Sequence, residues 1–455
     1  MDVFEWQSEM PVPADELAAW HVRPGSFERL RPPWQTVRVL ERSGGLEAGG
    51  RLVMSVDIGP VRRRWTAEIR DYEPGRRLVD VQVDGPFARW EHTHLFISSG
   101  TGSVLKDHVE YELPLGRAGD VVAGAPIDRA LRRLFRFRHR RSRDDLARHA
   151  AFASRPRLTV AISGASGLIG GELSAFLAGG GHRVLKLVRR RPLADDEVFW
   201  DPERAALDPE RFAGVDAVVH LAGVSLNQRW TPTAKRAILQ SRINGTALIA
   251  RTVAELDPPP PLLSASAIGY YGDRGAERLD ETSAPGSGFL PDVVEAWEAA
   301  LQPAREAGVR VVVLRNGLVL SGRGGVLARM LPGYKYGAAS AVGGGQQWMS
   351  WIALEDYLGL VLELLYDPSA EGLINAVSPN PVTNRQFTRT LSHVLRRPSL
   401  FPVPQRAVQL AFGEMGELLL ASTRVLPGRL TASGFGFRYP GLEEALRAEL
   451  GLFRT

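Results

Sequence analysis

The sequence predicts two folds in tandem. An α+β domain, an antiparallel sheet closed by one long helix, precedes an α/β domain built on a doubly wound parallel sheet with a small C-terminal subdomain. Three observations predict this. Residues 1–150 hold seven strand-like segments followed by one helix-like run. Residues 158–192 read as strand, glycine-rich turn, helix and strand. From 158 to about 320, strand-like and helix-like segments alternate, which argues a parallel sheet covered on both faces.

Composition sets the outer bounds. A chain of 455 residues suggests about three domains, placed at 1–150, 157–400 and 401–455. The apolar fraction of 44% is ordinary for a globular chain with more than one core. The net charge is +5, and nearly all the basic residues are arginine; the lysines are Lys106, Lys186, Lys235 and Lys335. The absence of cysteine excludes disulfides, a thiolate nucleophile and thiolate metal sites. The first residues are acidic and lack a continuous apolar segment, so no signal peptide is expected. No apolar run reaches the roughly 18 residues a membrane span needs. The expected location is the cytoplasm, and the oligomeric state is left open, with a homodimer as the candidate.

In the first domain, strands are expected over 4–10, 35–41, 50–58, 63–72, 77–83, 88–98 and 103–112. A short helix is expected over 15–20 and a long one over 127–149. His92 and His94 alternate, so they share a strand face with Trp90 and Phe96. Two histidines so spaced suit a metal, but no third ligand is evident. They are read as strand or cavity-lining residues, and no metal site is assigned. The basic run 129–143 carries Leu131, Leu134 and Phe135 near helical spacing, with Leu146 beyond. It is read as an amphipathic helix with a solvated basic face rather than a nucleic-acid or membrane surface.

After a linker at 151–157, an apolar run ends in Ser163-Gly164-Ala165-Ser166-Gly167-Leu168-Ile169-Gly170. Gly164 permits the sharp turn, Gly167 lets the backbone approach a pyrophosphate, and Gly170 lets the helix lie close to the sheet. The pyrophosphate would sit on free N–H groups at the start of that helix. At the end of the second strand, where an acidic residue would hold an NAD ribose, stand Arg189, Arg190 and Arg191. Guanidinium groups at Arg189 and Arg190 suit a 2′-phosphate, so NADP(H) is preferred over NAD(H). A third strand at 198–201 ends in Asp201, assigned to the adenine. A fourth, at 216–221, runs through Leu221 into Ala222-Gly223, a small turn facing the cofactor crevice. A helix over 230–256 follows. The strand 261–266 carries Ser264 on the cofactor side and leads to Ile268-Gly269-Tyr270-Tyr271-Gly272. A further strand spans 308–314. The polar, aromatic loop 343–352 is of the kind that contacts substrate. Helices are expected over 386–395, 406–420 and 443–450.

Two resemblances follow from these residues. WEHTHLF (90–96), KDHVEYELP (106–114) and LRRLFRFRH (131–139) resemble the helix-grip fold of the SRPBCC superfamily (START and polyketide cyclase-like proteins). That resemblance implies an apolar cavity and an apolar ligand. From 158 onward, GASGLIG, VFWDP, DAVVHLAG, RWTPTAKRAILQSRINGT, SASAIGYYG, LRNGLVLS, QQWMSWIALED, NAVSPNPVTNRQF and LAFGEMGELLL resemble an atypical branch of the extended short-chain dehydrogenase/reductases (SDRs). These are epimerase-like Rossmann proteins related in places to a cell-division inhibitor. Their last segment belongs to a C-terminal domain of unknown function.

The resemblance implies a small-molecule substrate, carbonyl or nucleotide-sugar-like, and nicotinamide chemistry. It places Arg229, Trp230, Gln347, Trp348 and Ser350 on the substrate side. SDR chemistry needs a proton at the reacting oxygen, ordinarily from a Tyr with a Lys four residues on and a Ser beside it. Here the positions four before each lysine hold Gly102, His182, Thr231 and Leu331, so the YxxxK pair is missing. Ser266 remains. Tyr270 and Tyr271 are the candidate proton donors, with Arg274 as the guanidinium that would lower a phenol pKa. The alternative is a catalytically degenerate dinucleotide-binding regulator.

Overall fold

The computed structural model describes residues 1–58, 61–114, 117–337, 340–398 and 403–453; within two helices it leaves undescribed the side chains of 117–123 and of 407, 409, 411 and 412. Parts of the expected 401–455 subdomain and of the 406–420 helix therefore lie outside the described residues. The chain divides into two units. One comprises Met1–Pro156 with Ala175–Gly181 and Leu450–Leu452, and the other comprises the rest.

The first unit is a meander that returns on itself. Strands β1 (Asp2–Met10), β2 (Val37–Ser43), β3 (Arg51–Ile58), β4 (Val61–Glu73), β5 (Arg77–Asp84), β6 (Arg89–Ser99) and β7 (Gly102–Glu112) form one sheet in the order β1-β7-β6-β5-β4-β3-β2. Helices α1 (Ala14–Val22) and α2 (Ser26–Leu30) follow β1, and α3 (Arg117–Ala150) closes the unit. Alternation makes the sheet one-sided: along β7, Ser103, Leu105, Asp107, Val109 and Tyr111 are buried. Leu131 and Phe135, one helical turn apart on α3, pack with Phe4, Trp90, Val109 and Tyr111. A second apolar cluster joins Met10, Leu17, Trp20, Phe96, Leu105 and Leu146.

Helix α3 begins ten residues before its expected start and contains Pro126. Its basic run is divided: Arg129, Arg132, Arg140 and Arg143 are exposed, as a solvated face requires, and other arginines are not. Arg133, Arg136 and Arg141 lie over the rings of Trp34, Trp6 and Phe137 at 4.0, 5.6 and 5.3 Å. Long arginine stems cover aromatic surface while the charge gains from the ring face, so these three members of the run pack inward.

The second unit carries an eight-stranded sheet. Its strands are β8 (Thr159–Ser163), β9 (Arg183–Val188), β10 (Glu197–Asp201), β11 (Ala206–Leu207), β12 (Ala217–His220), β13 (Leu262–Ala267), β15 (Val311–Asn316) and β19 (Gly372–Ala376). Short strands β14 (Arg278–Leu279), β16 (Leu318–Leu320), β17 (Trp348–Met349) and β18 (Trp351–Ala353) lie outside it. The order is β11-β10-β9-β8-β12-β13-β15-β19, parallel except for β11. This is a doubly wound sheet whose order reverses between β8 and β12, the point where such sheets generally bind ligands at the carboxyl ends of the strands. The strands are apolar on both faces, as parallel strands under helices must be. Val218, Leu262, Val311 and Val313 pack with Ile249 and Val253 of the helix Pro232–Ala254.

The expected helix over 406–420 is broken. Helices Gln405–Phe412 and Gly416–Leu420 are separated by a 3-10 turn at Gly413–Met415, where Gly413 has φ +58°. An apolar run continuing past a glycine hides such a break. No helix among the described residues is long and apolar enough to cross a membrane.

Candidate functional site

The glycine turn sits where β8 ends. Gly164 has φ +73°, and a Cβ there would stand 2.9 Å from the backbone of Leu221. The turns after β8 and β12 therefore touch through bare backbone. Ser163 locks them: its Oγ accepts from the N–H groups of Leu221 and Ala222 at 3.1 and 3.3 Å. With its lone pairs so used, the Ser163 hydroxyl donates to His220 Nδ1 at 2.7 Å, and His220 Nε2–H donates to Thr246 Oγ1 at 3.1 Å. Burial lowers the His220 pKa to about 4.

A Cβ on Gly170 would meet Gly164 O at 2.2 Å, so only glycine lets the helix Leu168–Gly179 start this close to the turn. Ser166 and Gly167 are exposed, Ala165, Leu168 and Ile169 half-buried. A Cβ on Gly167 meets nothing nearer than Gly164 O at 3.2 Å. This exposed bare backbone at a helix start fits a pyrophosphate.

The arginines after β9 are not equivalent. Arg190 forks the carboxylate of Glu197, whose Oε2 also accepts from the N–H of Leu193 at 2.7 Å. Arg189 is exposed and has no ion pair among the described residues. Asp201 caps its own turn, accepting from the N–H groups of Glu203 and Arg204 at 3.0 and 3.3 Å. Beyond Ala222, a Cβ on Gly223 would contact the buried Arg242 at 3.5 Å. Arg242 bonds the carbonyl of Val224, and burial lowers its pKa to about 10.

Ser264 and Ser266 are buried on β13. Ser266 Oγ donates to Glu298 Oε1 at 2.6 Å. Glu298 lies in the last turn of the helix Phe289–Ala299, which stands where the missing YxxxK helix is expected. Register places Ser266 opposite Arg315, and Arg315 opposite Asn375. Arg315 grips both Glu298 oxygens at 2.8 Å and donates to Tyr271 Oη at 3.1 Å. Tyr271 in turn donates to Asn375 Oδ1 at 2.8 Å. Burial alone would lower the Arg315 pKa, but the hydrogen bonds and charge of Glu298 outweigh it, and the guanidinium is held protonated.

Two expectations are corrected here. The guanidinium at the tyrosines is Arg315, with Cζ 3.4 Å from the Tyr270 ring centroid, whereas Arg274 pairs with Glu277. The Tyr271 pKa is raised by burial, not lowered, and its side chain is fully buried. Tyr270 is half-buried.

Of the expected substrate residues, Trp230 is buried against Phe289 and donates to Leu226 O, and Ser350 is buried, stitching β17–β18 to Thr423 and Val425. Arg229 is exposed. Gln347 and Trp348 line a cavity of about 370 Å³ with Gly275 and Ser422, and neither Ser266 nor Tyr270 lines it. Glu298, Arg315 and Asn375 went unassigned in the sequence. The last two lie inside motifs already singled out, LRNGLVLS and NAVSPNP, and strand register alone aligns them with Ser266.

Three stretches of the chain match known families. Residues 160–376 match the NAD dependent epimerase/dehydratase family. Residues 10–137 match polyketide cyclase/dehydrase and lipid transport, and residues 403–449 a domain of unknown function. An epimerase family protein of Mycobacterium bovis is 41% identical over 289 residues, 63% of this chain and 96% of that protein. A structure described as a nucleoside-diphosphate sugar epimerase from Corynebacterium glutamicum aligns over 98% of this chain and 90% of its own, with TM-score 0.82 and 33% identity. The human epimerase family protein SDR39U1, solved with NADPH, aligns over 64% of this chain and 99% of its own, with TM-score 0.60 and 31% identity.

Proposed function

The chain belongs to the NAD-dependent epimerase/dehydratase family, and from that premise we propose that it binds NADP(H) on the glycine turn and oxidises and reduces a carbonyl or nucleotide-sugar-like substrate without a YxxxK pair. The observation that carries the reading is the Ser266–Glu298 hydrogen bond beneath the carboxyl ends of the sheet.

When bound, the nicotinamide supplies the hydride donor or acceptor. The chain's own residues handle position and proton. Gly164, Gly167 and Gly170 leave room for the pyrophosphate beside Ala165, Ser166, Leu168 and Ile169. Arg189, without an ion pair among the described residues, takes a 2′-phosphate; Arg190 contributes less because Glu197 holds it. The relative solved with NADPH supports this cofactor. In the oxidising direction, Ser266 Oγ accepts the substrate hydroxyl proton as its own proton passes to Glu298. Arg315 keeps that carboxylate oriented, and Tyr270, stacked under Arg315, lines the substrate side.

The full internal bonding of Ser266 and Tyr271 favours a second reading, a dinucleotide-binding regulator without turnover. Titration of purified protein with NADPH and NADH, followed by nicotinamide fluorescence, separates the cases. Tight binding with NADPH preferred supports the cofactor assignment and justifies a substrate screen. Binding of neither refutes it. Binding without turnover of any carbonyl or sugar-nucleotide substrate favours the regulator.

A further inference from the structure

Between the two apolar clusters of the first unit lies a group of polar side chains that the dinucleotide chemistry does not use. His92, Asp107 and His139 are 3%, 2% and 1% exposed. Register assembles them: Asp80 on β5 stands opposite His92 on β6, and His94 on β6 opposite Asp107 on β7. His139 comes down from α3. The sequence shows two alternating histidines, and the fold adds the third group that the spacing alone left missing.

The orientation of the two rings is specific. Asp107 lies behind them, with Oδ1 2.9 Å from His92 Nε2 and 2.6 Å from His94 Nδ1, and Oδ2 against His139 Nε2. The opposite nitrogens turn toward Asp80. His92 Nδ1 is 3.4 Å and His94 Nε2 is 3.8 Å from Asp80 Oδ2. Ligand atoms of Asp80, His92 and His94 all lie within 4.8 Å of one another. The contact of His94 Nδ1 with Asp107 is close but out of hydrogen-bond alignment, so that buried nitrogen has no hydrogen-bond partner.

These separations exceed the roughly 2.7–3.2 Å of a hydrogen bond. The two distances to Asp80 lie near the edge of a coordination tetrahedron: ligands about 2.0–2.1 Å from a zinc-like ion stand about 3.3 Å apart. Two imidazoles and one carboxylate are a ligand set of first-row divalent ions. A carboxylate bonded to the far nitrogen of a ligating histidine fixes its tautomer and ring orientation; Asp107 does this for His92 through Nε2, and toward His94 Nδ1 it stands in close electrostatic contact. Arg138 of α3, over the Phe135 ring, interacts favourably with the charges of Asp107 and Asp80.

We propose that Asp80, His92 and His94 bind a divalent first-row transition metal ion of the zinc type, with Asp107 as the positioning residue behind both imidazoles. Three protein ligands leave a coordination position open. The side chains of His94 and Asp80, 14% and 22% exposed, mark the side by which an ion enters.

The test uses the tag-free full chain, stripped by a chelator and titrated with Co²⁺ and then Zn²⁺. The expected result is one Co²⁺ per chain, with visible absorption bands that Zn²⁺ abolishes. Asp80→Asn and His94→Gln remove the bands, and Asp107→Asn weakens affinity by about 10–100-fold. Circular dichroism of each metal-free variant verifies its fold. The wild-type titration depends on no variant: absence of saturable, one-per-chain binding overturns the proposal. Unchanged binding by a folded Asp80→Asn protein overturns it equally. Nicotinamide binding enters neither outcome, so the two readings stand or fall separately.

Discussion

Ser266 on β13 and Arg315 on β15 stand opposite each other and share one acceptor, Oε1 of Glu298, at 2.6 and 2.8 Å. The consequences of removing each partner are unequal. Arg315 is 1% exposed, and without the Glu298 charge its guanidinium is buried and uncompensated. Glu298→Gln is expected to destabilise the protein by about 3–5 kcal/mol. Ser266→Ala removes one hydrogen bond while the ion pair survives, a loss of about 0.5–1.5 kcal/mol. Urea unfolding of both variants measures the gap, and equal losses would mean that the Arg315–Glu298 pair carries no special weight.

The two adjacent tyrosines divide in the same way. Tyr271→Phe leaves Asn375 Oδ1 and one Arg315 N–H without their partner in the core, and should lower stability by about 1–3 kcal/mol with dinucleotide affinity unchanged. Tyr270→Phe loses no hydrogen bond recorded among the described residues and should leave stability within about 0.5 kcal/mol. Thermal unfolding alongside fluorescence titration reads both. A large stability loss in Tyr270→Phe would contradict the assignment.

Much of this architecture is legible in the sequence because local chemistry sets it. The glycine turn needs Gly164 at positive φ and no Cβ at Gly170, and such constraints leave a readable spacing. Alternation along β6 and β7 marks the one-sided sheet of the first unit in the same way. What the sequence hid is set by register. Ser266, Arg315 and Asn375 are far apart in the chain and meet only because β13, β15 and β19 pair in one alignment. Asp80 reaches His92 by the same route. Arg274, four residues from Tyr270, is the nearer guanidinium in sequence, yet the loop turns it to Glu277 and long-range pairing supplies Arg315 instead. Ser350 and Trp230, read as substrate residues, are buried and bonded to backbone, because a polar or aromatic side chain in a loop motif is as well suited to stitching buried backbone as to meeting a ligand.

The glycine turn distinguishes its own members. A methyl on Gly170 falls 2.2 Å from a backbone oxygen, which cannot yield without moving the helix start. Gly170→Ala should therefore abolish dinucleotide binding. At Gly167 the nearest atom is 3.2 Å away, so Gly167→Ala should fold normally and weaken binding only through its approach to the pyrophosphate. Comparison of NADPH affinity and melting temperature in the two variants decides whether sterics within the protein or at the ligand dominates.

Cofactor choice rests on the unpaired arginine. Arg189 is exposed without an ion pair among the described residues, while Arg190 is forked by Glu197. Loss of one charged hydrogen-bonding group at a phosphate is worth about 1.5–3 kcal/mol, or roughly 10–100-fold. Arg189→Ala should weaken NADPH by that factor and leave NADH unchanged, and Arg190→Ala should act less on the ratio. An unchanged NADPH to NADH ratio in Arg189→Ala would place the 2′-phosphate elsewhere.

Acid stability should report on His220. The imidazole is fully buried between Ser163 and Thr246, and burial lowers its pKa to about 4 from an ordinary value of about 6.5. Between those values the unfolded chain binds a proton that the folded chain refuses. Stability therefore rises with pH across that window and is lost as pH falls from about 6.5 toward 4. The full difference corresponds to an upper bound of about 3 kcal/mol for this one group. His21, lowered to about 3 by burial with the His94 charge adding to it, contributes with the same sign, so the His220 share must be read as a difference between proteins. His220→Gln keeps an acceptor toward Ser163 and a donor toward Thr246 without titrating. Its unfolding free energy should fall less steeply than wild type from pH 6.5 to 4. Parallel curves would mean that His220 is protonated in the folded state, and the Ser163 hydroxyl would then have to turn away from Nδ1.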